Sequence, residues 1–204
     1  TIMEVLTAFV REHSQIAKTT VASEVEKPEF SEQVSADIRA ILTVVFPSIE
    51  KLKSKETEKA THPEKISADI QAILTVIGRR EEEGDQGFID LSNTNLFGAN
   101  FKGANFKGAN FNGANLEKAN LEKANLEGVD ISNTNLKEAY LMLTHLKGVH
   151  FDGVNFEGAY LRKADFKMVN FDKVNLRGAD LGDANLEQAS LFEVCLKEAN
   201  LGDA

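Results

Sequence analysis

The chain has 204 residues, with 23 basic against 32 acidic side chains and a net charge of −9. This acidic, mixed-sign composition argues against direct nucleic-acid binding. The single cysteine, Cys195, excludes an internal disulfide framework, and no apolar run approaches the ~18–20 residues of a membrane-spanning helix.

The first third reads as helical. Ile2, Val5, Leu6, Phe9 and Val10 fall on one broad face of a helix that runs to Arg11. A polar, β-branched stretch from Lys18 to Pro28 reads as loop. The run Ser35-Ala36-Asp37-Ile38-Arg39-Ala40-Ile41-Leu42-Thr43-Val44-Val45 then recurs 32 positions later as Ser67-Ala68-Asp69-Ile70-Gln71-Ala72-Ile73-Leu74-Thr75-Val76-Ile77. Each copy opens on a Ser N-cap with Asp in the first turn, and each carries an apolar stripe: Ile38, Ile41, Leu42 and Val45, then Ile70, Ile73, Leu74 and Ile77. Gly78-Arg79-Arg80 reads as a glycine stop followed by cations. Ile49 to Lys65 is charged, and reads as an exposed helix or a linker. The organisation expected is a helical region at 1–80 with its amphipathic helix duplicated at 35–45 and 67–77, a hinge at 81–87, and a second unit at 88–204.

From residue 89 onward the chain counts in fives. Every fifth residue from Leu91 to Leu201 is Leu, Phe or Ile, 23 times without a break in frame. Two positions before each sits a small residue, mostly Ala, Val or Thr, and one position before sits mostly Asn or Asp. Five fits neither a helix nor an ordinary strand. It fits a chain that turns a corner after each unit, so that four units close a square coil of about twenty residues and coils stack roughly 4.8 Å apart. Nearly six coils would make a rod about 25–30 Å long. The candidate core is Leu91, Leu96, Phe101, Phe106, Phe111, Leu121, Ile131, Leu141, Phe151, Phe156, Leu161, Phe166, Phe171 and Leu181. One large and one small inward residue per unit fills a narrow square without voids or overpacking. The Asn residues can bond neighbouring backbone and stack as ladders between coils.

This pattern resembles the pentapeptide-repeat family, and the resemblance covers about 89–204. It implies a mainly β fold, a right-handed quadrilateral parallel β-helix (a pentapeptide-repeat solenoid), here preceded by an α-helical region. The runs Met3–Arg11 and Asp69–Arg80 are similar to a connector in larger bacterial, often cyanobacterial, members, where membrane-spanning helices often lie further upstream. The resemblance thus implies a soluble part of a larger protein that touches a membrane only through an upstream segment, in a cytoplasmic or membrane-peripheral setting. The start at Thr1 within an apolar run and the end at Leu201-Gly202-Asp203-Ala204 within a repeat read the same way.

A β-helix end exposes strand edges and apolar side chains, so the helix at 66–78 is expected to cap the first coil. The alternative is a helix pair that docks a partner. The coil with Leu186, Leu191, Leu196 and Leu201 has no visible cap, so a homodimer through that coil or through the helical region is a further expectation.

Chemistry is sparse, with no catalytic, cofactor or metal site expected. His145 and His150 sit one unit apart, hence on adjacent faces of the square, and do not converge as metal ligands must; His13 and His62 fall in the helical region. Cys195 takes an outward Asn position with no cause for a lowered pKa. One outward column, Glu117, Lys137, Glu157, Arg177 and Lys197, reads as alternating charge. Another reads Asn100, Asn120, Tyr140, Tyr160, Asp180 and Asn200, and with Met142 and Leu143 its two tyrosines form an exposed apolar cluster, the kind of patch that marks interfaces. The expected function is a non-catalytic scaffold that binds a protein partner through Tyr140, Met142, Leu143 and Tyr160. Two alternatives are inhibition of DNA gyrase, which the family resemblance brings in through members with strongly DNA-like acidic rods, and a passive arm of a larger membrane-associated or enzymatic protein.

Overall fold

The structure is a computed structural model that describes residues 66, 68–79 and 89–204. The helices expected at 2–11 and 35–45, the charged stretch 49–65 and the hinge 81–87 lie outside the described residues.

Residues 89–204 form a parallel coil whose backbone register repeats every twenty residues. Asn95 pairs with Asn115, Asn115 with Asn135, Asn135 with Asn155 and Asn155 with Asn175, and the other three faces repeat this step. Each unit sends three backbone bonds to its neighbours. The Asn-position N–H donates back to the small residue of the coil before (Asn120 to Ala99 O, 2.8 Å). The large residue and the second residue after it donate forward (Phe101 to Asn120 O, 2.7 Å; Gly103 to Glu122 O, 2.8 Å). On one face the bridges lengthen into three short strands, β1 (His150–Asp152), β2 (Asn170–Asp172) and β3 (Ser190–Phe192), which form a parallel sheet in the order β1-β2-β3.

The corners explain the period. In most units the large residue's C=O accepts a bond from the N–H three residues on, as Leu96 O does from Ala99 N at 3.0 Å. The residue between them, second after the large one, has a positive φ in all 23 units, from 51° to 69°. That is the signature of a type II turn. Nine of these residues are Gly and fourteen are not, so the corner is imposed by packing and inter-coil bonds as well as by glycine.

All fourteen core residues named from the sequence are buried. Phenylalanines cluster at two levels: Phe101, Phe106 and Phe111 meet edge to face with centroids 4.9 to 6.3 Å apart, and Phe151 stacks on Phe171 at 5.2 Å. Thr94, Thr134 and Thr144 are buried at small-residue positions, where each hydroxyl donates to a carbonyl, Thr144 to Leu141 O at 2.7 Å. Ile89 takes the small position of the first coil and is fully buried.

Helix α1 (Ala68–Gly78) lies on the first coil. Ile73, Leu74 and Ile77 are buried against the rod core, and Ile66 and Ile70 pack partly on it. Two open N–H groups of the coil find partners there: Asn100 N donates to Gln71 Oε1 at 2.8 Å and Asn105 N to Gly78 O at 2.8 Å. Ser67, the N-cap of the sequence reading, lies outside the described residues. The helix stops at Gly78, where the sequence places the stop, but not through a left-handed residue. Gly78 is the last helical residue and does not take a positive φ. Its glycine has another cause, because a Cβ there would stand 2.7 Å from the Ala104 Cβ.

Candidate protein-binding face

The outward side chains stand in columns set by the twenty-residue step. On the face that carries Leu141 and Leu161 inward, Asn120, Tyr140, Tyr160 and Asp180 pair in register. The Tyr140 and Tyr160 rings stack with centroids 4.8 Å apart and planes 7° from parallel. Each ring covers one face of the other, and the outer faces lie toward Asn120 and Asp180. Tyr140 is 45% exposed, Met142 38%, Leu143 39% and Tyr160 43%. Leu143 occupies a corner with φ 59°, and a residue there can only point outward. The structure therefore places the four residues of the sequence-derived patch together on one exposed face and the corner beside it.

Charged ladders surround this face. Lys102 meets Glu122 at 2.8 Å, Lys107 meets Glu127 at 3.0 Å, Lys118 meets Glu138 at 3.5 Å and Lys167 meets Glu187 at 2.7 Å, each pair one coil apart. Hydrogen bonding from the Lys102 ammonium holds the Glu122 carboxyl below its ordinary range, and the Glu157 carboxylate raises Lys137 above the ordinary lysine value. The reading of this column as alternating is corrected at its far end, where two cations follow one another. Lys137 and Glu157 pair at 3.2 Å, but Arg177 and Lys197 stand next to each other with the same sign. Both turn to Glu198, at 3.6 and 3.8 Å, which relieves the repulsion.

Asparagines build the adjacent face. Asn115, Asn135, Asn155 and Asn175 each donate Nδ2 to the Oδ1 of the residue twenty before, at 3.0 to 3.2 Å, in a ladder that begins at Asn95 and stops at the exposed Cys195. Most Asn side chains also accept from the N–H two residues on, as Asn155 does from Glu157 at 3.1 Å. His145 pairs in register with Asn125 and Asp165, and His150 with Asn170 on the next face. Among the described residues no three His, Cys, Asp or Glu side chains converge as a metal site, and no described helix is long and apolar enough to cross a membrane.

Three features escaped the sequence reading. Met168 and Phe192 are exposed at outward positions of their units, and phase within the five-residue frame was the signal for both. The Lys118 ammonium sits 5.7 Å from the centroid of the half-buried Phe97 ring. Gln71 had no comparable signal, since its partner is the backbone of Asn100, 29 positions away.

These features define a parallel β-coil repeat protein with a helical cap and decorated outer faces. Residues 89–113, 109–148, 139–178 and 170–204 match the family model for pentapeptide repeats, in 8 copies, over more than half of the chain, and the chain belongs to that family. Among solved structures it is similar to a pentapeptide repeat protein of the Arabidopsis thaliana thylakoid lumen (33% identity over 47% of this chain and 63% of that one, TM-score 0.36). It is similar also to Rfr23 of the cyanobacterium Cyanothece 51142 (31% identity, 50% and 64%, TM-score 0.28). QnrB1, a plasmid-mediated fluoroquinolone resistance protein, matches at 20% identity (57% and 64%, TM-score 0.34). The match spans less than two thirds of each of these three chains. No curated protein matches the chain.

Proposed function

We propose that this chain is a non-catalytic scaffold that binds a protein partner through the face formed by Tyr140, Met142, Leu143 and Tyr160. The supporting observation is that two stacked tyrosines and two aliphatic side chains stand exposed on a rod whose other outward columns are mostly polar and cross-paired. Tyr and Met are enriched at interface centres, and contiguous apolar surface rarely stays exposed without use. The same reading takes the winding as right-handed, as in the family, and takes α1 as a cap that keeps the apolar first coil out of water.

Inhibition of a DNA-handling enzyme by DNA mimicry is the weaker reading. Such mimicry needs a concentrated field of one sign. Residues 88–204 carry 12 basic and 16 acidic side chains, and the Lys–Glu pairs that run between coils neutralise much of the acidic surface.

The double variant Tyr140→Asp with Leu143→Asp tests the proposal. Both positions point outward, and Asp tolerates the left-handed corner, so circular dichroism should be unchanged. Proteins captured from a host lysate by the wild-type rod are compared with those captured by the variant. Loss of one or more partners with the variant supports the scaffold reading, and identical capture profiles remove this face from consideration.

A further inference from the structure

The cations of the rod are paired everywhere except around the tyrosine face. Of the 12 Lys and Arg in residues 88–204, eight hold a carboxylate within 4.0 Å that no other cation holds more closely, and Lys197 shares Glu198 with Arg177 at nearly equal distances, 3.8 and 3.6 Å. The other three are Lys123, Lys147 and Lys163. Lys147 and Lys163 have no ion pair among the described residues. Lys123 reaches only Glu122, at 3.9 Å, and that carboxylate already accepts from Lys102 at 2.8 Å.

These three flank the Leu143 side of the patch. Lys123, Leu143 and Lys163 occupy equivalent corners of consecutive coils, so each lysine lies one coil spacing, about 4.8 Å, from Leu143 along the axis. Lys147 is exposed on the next face in the coil of Leu143, one residue past the buried Leu146. The carboxylates that border the patch are engaged: Glu122 with Lys102, Glu138 with Lys118, and Asp180 and Asp183 with Arg162. The apolar face is thus bordered along its Leu143 edge by surplus positive charge on a chain of net charge −9.

We propose that the tyrosine face takes an acidic peptide segment that carries an aromatic or aliphatic anchor. The anchor packs on Met142, Leu143 and the ring edges, Asp or Glu of the partner meet Lys123, Lys147 and Lys163, and the tyrosine hydroxyls donate to carboxylate or backbone oxygen. Complementary rim charge of this kind sets partner choice and on-rate. A single-stranded nucleic acid fits less well. Its bases need open ring faces to stack on, and one face of each tyrosine ring is already taken by the other. The inference rests on the scaffold reading above and adds to it the chemistry of the partner.

A random peptide library displayed on phage, panned against the full chain, tests it. Enriched peptides are measured against wild type, the Tyr140→Asp/Leu143→Asp variant, and the neutral variant Lys123→Gln/Lys147→Gln/Lys163→Gln, which alters exposed positions only. The expected peptides combine Asp or Glu with Trp, Tyr, Phe, Leu or Met. They should lose binding to the Asp variant, bind the Gln variant about tenfold more weakly at low salt, and weaken in wild type as salt rises. Peptides that depend on Tyr140 and Leu143 but are neutral or basic, and indifferent to the Gln variant, overturn the acidic-partner inference and leave the scaffold reading standing. No peptide that depends on Tyr140 and Leu143 overturns both. A homopolymeric single-stranded oligonucleotide that binds wild type and loses affinity in the Gln variant assigns the face to nucleic acid and overturns the inference.

Discussion

The Gln71 side chain bonds the backbone of Asn100 in both directions. Its Nε2 donates to Asn100 O at 2.7 Å and its Oε1 accepts from Asn100 N at 2.8 Å. Along the rod, the residue at this position gives its N–H to the coil before and its C=O accepts from that same coil, as Asn120 does with Ala99 O and Phe101 N. One amide side chain therefore stands in for the coil that the first turn lacks on this face, and Gly78 O does part of the same for Asn105. Side-chain satisfaction of a sheet edge removes both its desolvation cost and its tendency to recruit other strands.

Gln71→Ala leaves the packing of Ile73, Leu74 and Ile77 in place but opens that edge. The expected loss is about 1 kcal/mol, that of a partly exposed pair of hydrogen bonds. Amide exchange read by NMR should rise at Asn100 and stay unchanged at Asp180, four coils along the same column, because stacked repeats communicate only through neighbours. A uniform rise along the rod contradicts the role given to Gln71.

The Asn ladder stops at Cys195, whose backbone pairs with Asn175 in the register an Asn would have. Cys195→Asn should let Nδ2 donate to Asn175 Oδ1 and extend the ladder by one rung. The expected gain is about 0.5–1 kcal/mol in denaturant unfolding. Asn135→Ala, which removes bonds to Asn115, Asn155 and the Lys137 N–H, should cost about 1–2 kcal/mol.

Gly128 and Met168 hold the same corner two coils apart, with φ of 65° and 60°. A Cβ at Gly128 meets nothing within 4 Å, so Gly128→Ala isolates the backbone term, with an expected cost of about 1 kcal/mol. Met168→Gly relieves a left-handed side chain that is exposed, and should gain about 0.5 kcal/mol after the extra chain entropy of glycine. Opposite signs for the two substitutions in thermal unfolding are the check.

The Lys102–Glu122 pair gives a pH signature. Its hydrogen bond lowers the Glu122 carboxyl, so the stabilisation is present above the ordinary carboxylate range and is lost as pH falls through the depressed folded value. In Lys102→Ala the carbon-detected NMR titration of Glu122 should move up toward the ordinary range. An unmoved titration shows that Lys102 is not the cause.

The rod was legible because its signal repeats. A five-residue frame with one large and one small residue fixes which side chains meet inside, and the columns at twenty-residue spacing follow from closure of the square, so Tyr140 could be placed on Tyr160 without coordinates. The helix at 66–78 was legible from its Ile and Leu stripe. The stop at Gly78 was legible too, but the reason for its glycine was not, because that reason is Ala104, a contact 26 positions away in sequence. The like signs of Arg177 and Lys197 stand in the sequence itself, while their shared partner Glu198 was not legible because a column shows only neighbours above and below. The surplus of Lys123, Lys147 and Lys163 needed all the other ion pairs to be known first.

Distances between spin labels test the twenty-residue coil most directly. With Cys195 replaced by Ser, nitroxide pairs are placed on one outward column, from Lys107 to Lys147, to Lys167 and to Glu187; the surface ion pairs of Lys107, Lys167 and Glu187 contribute little. The account predicts backbone separations of about 10, 14 and 19 Å, a constant increment for each twenty residues. Separations that do not rise by a constant step, or that lengthen with residue number as along an extended chain, would contradict it.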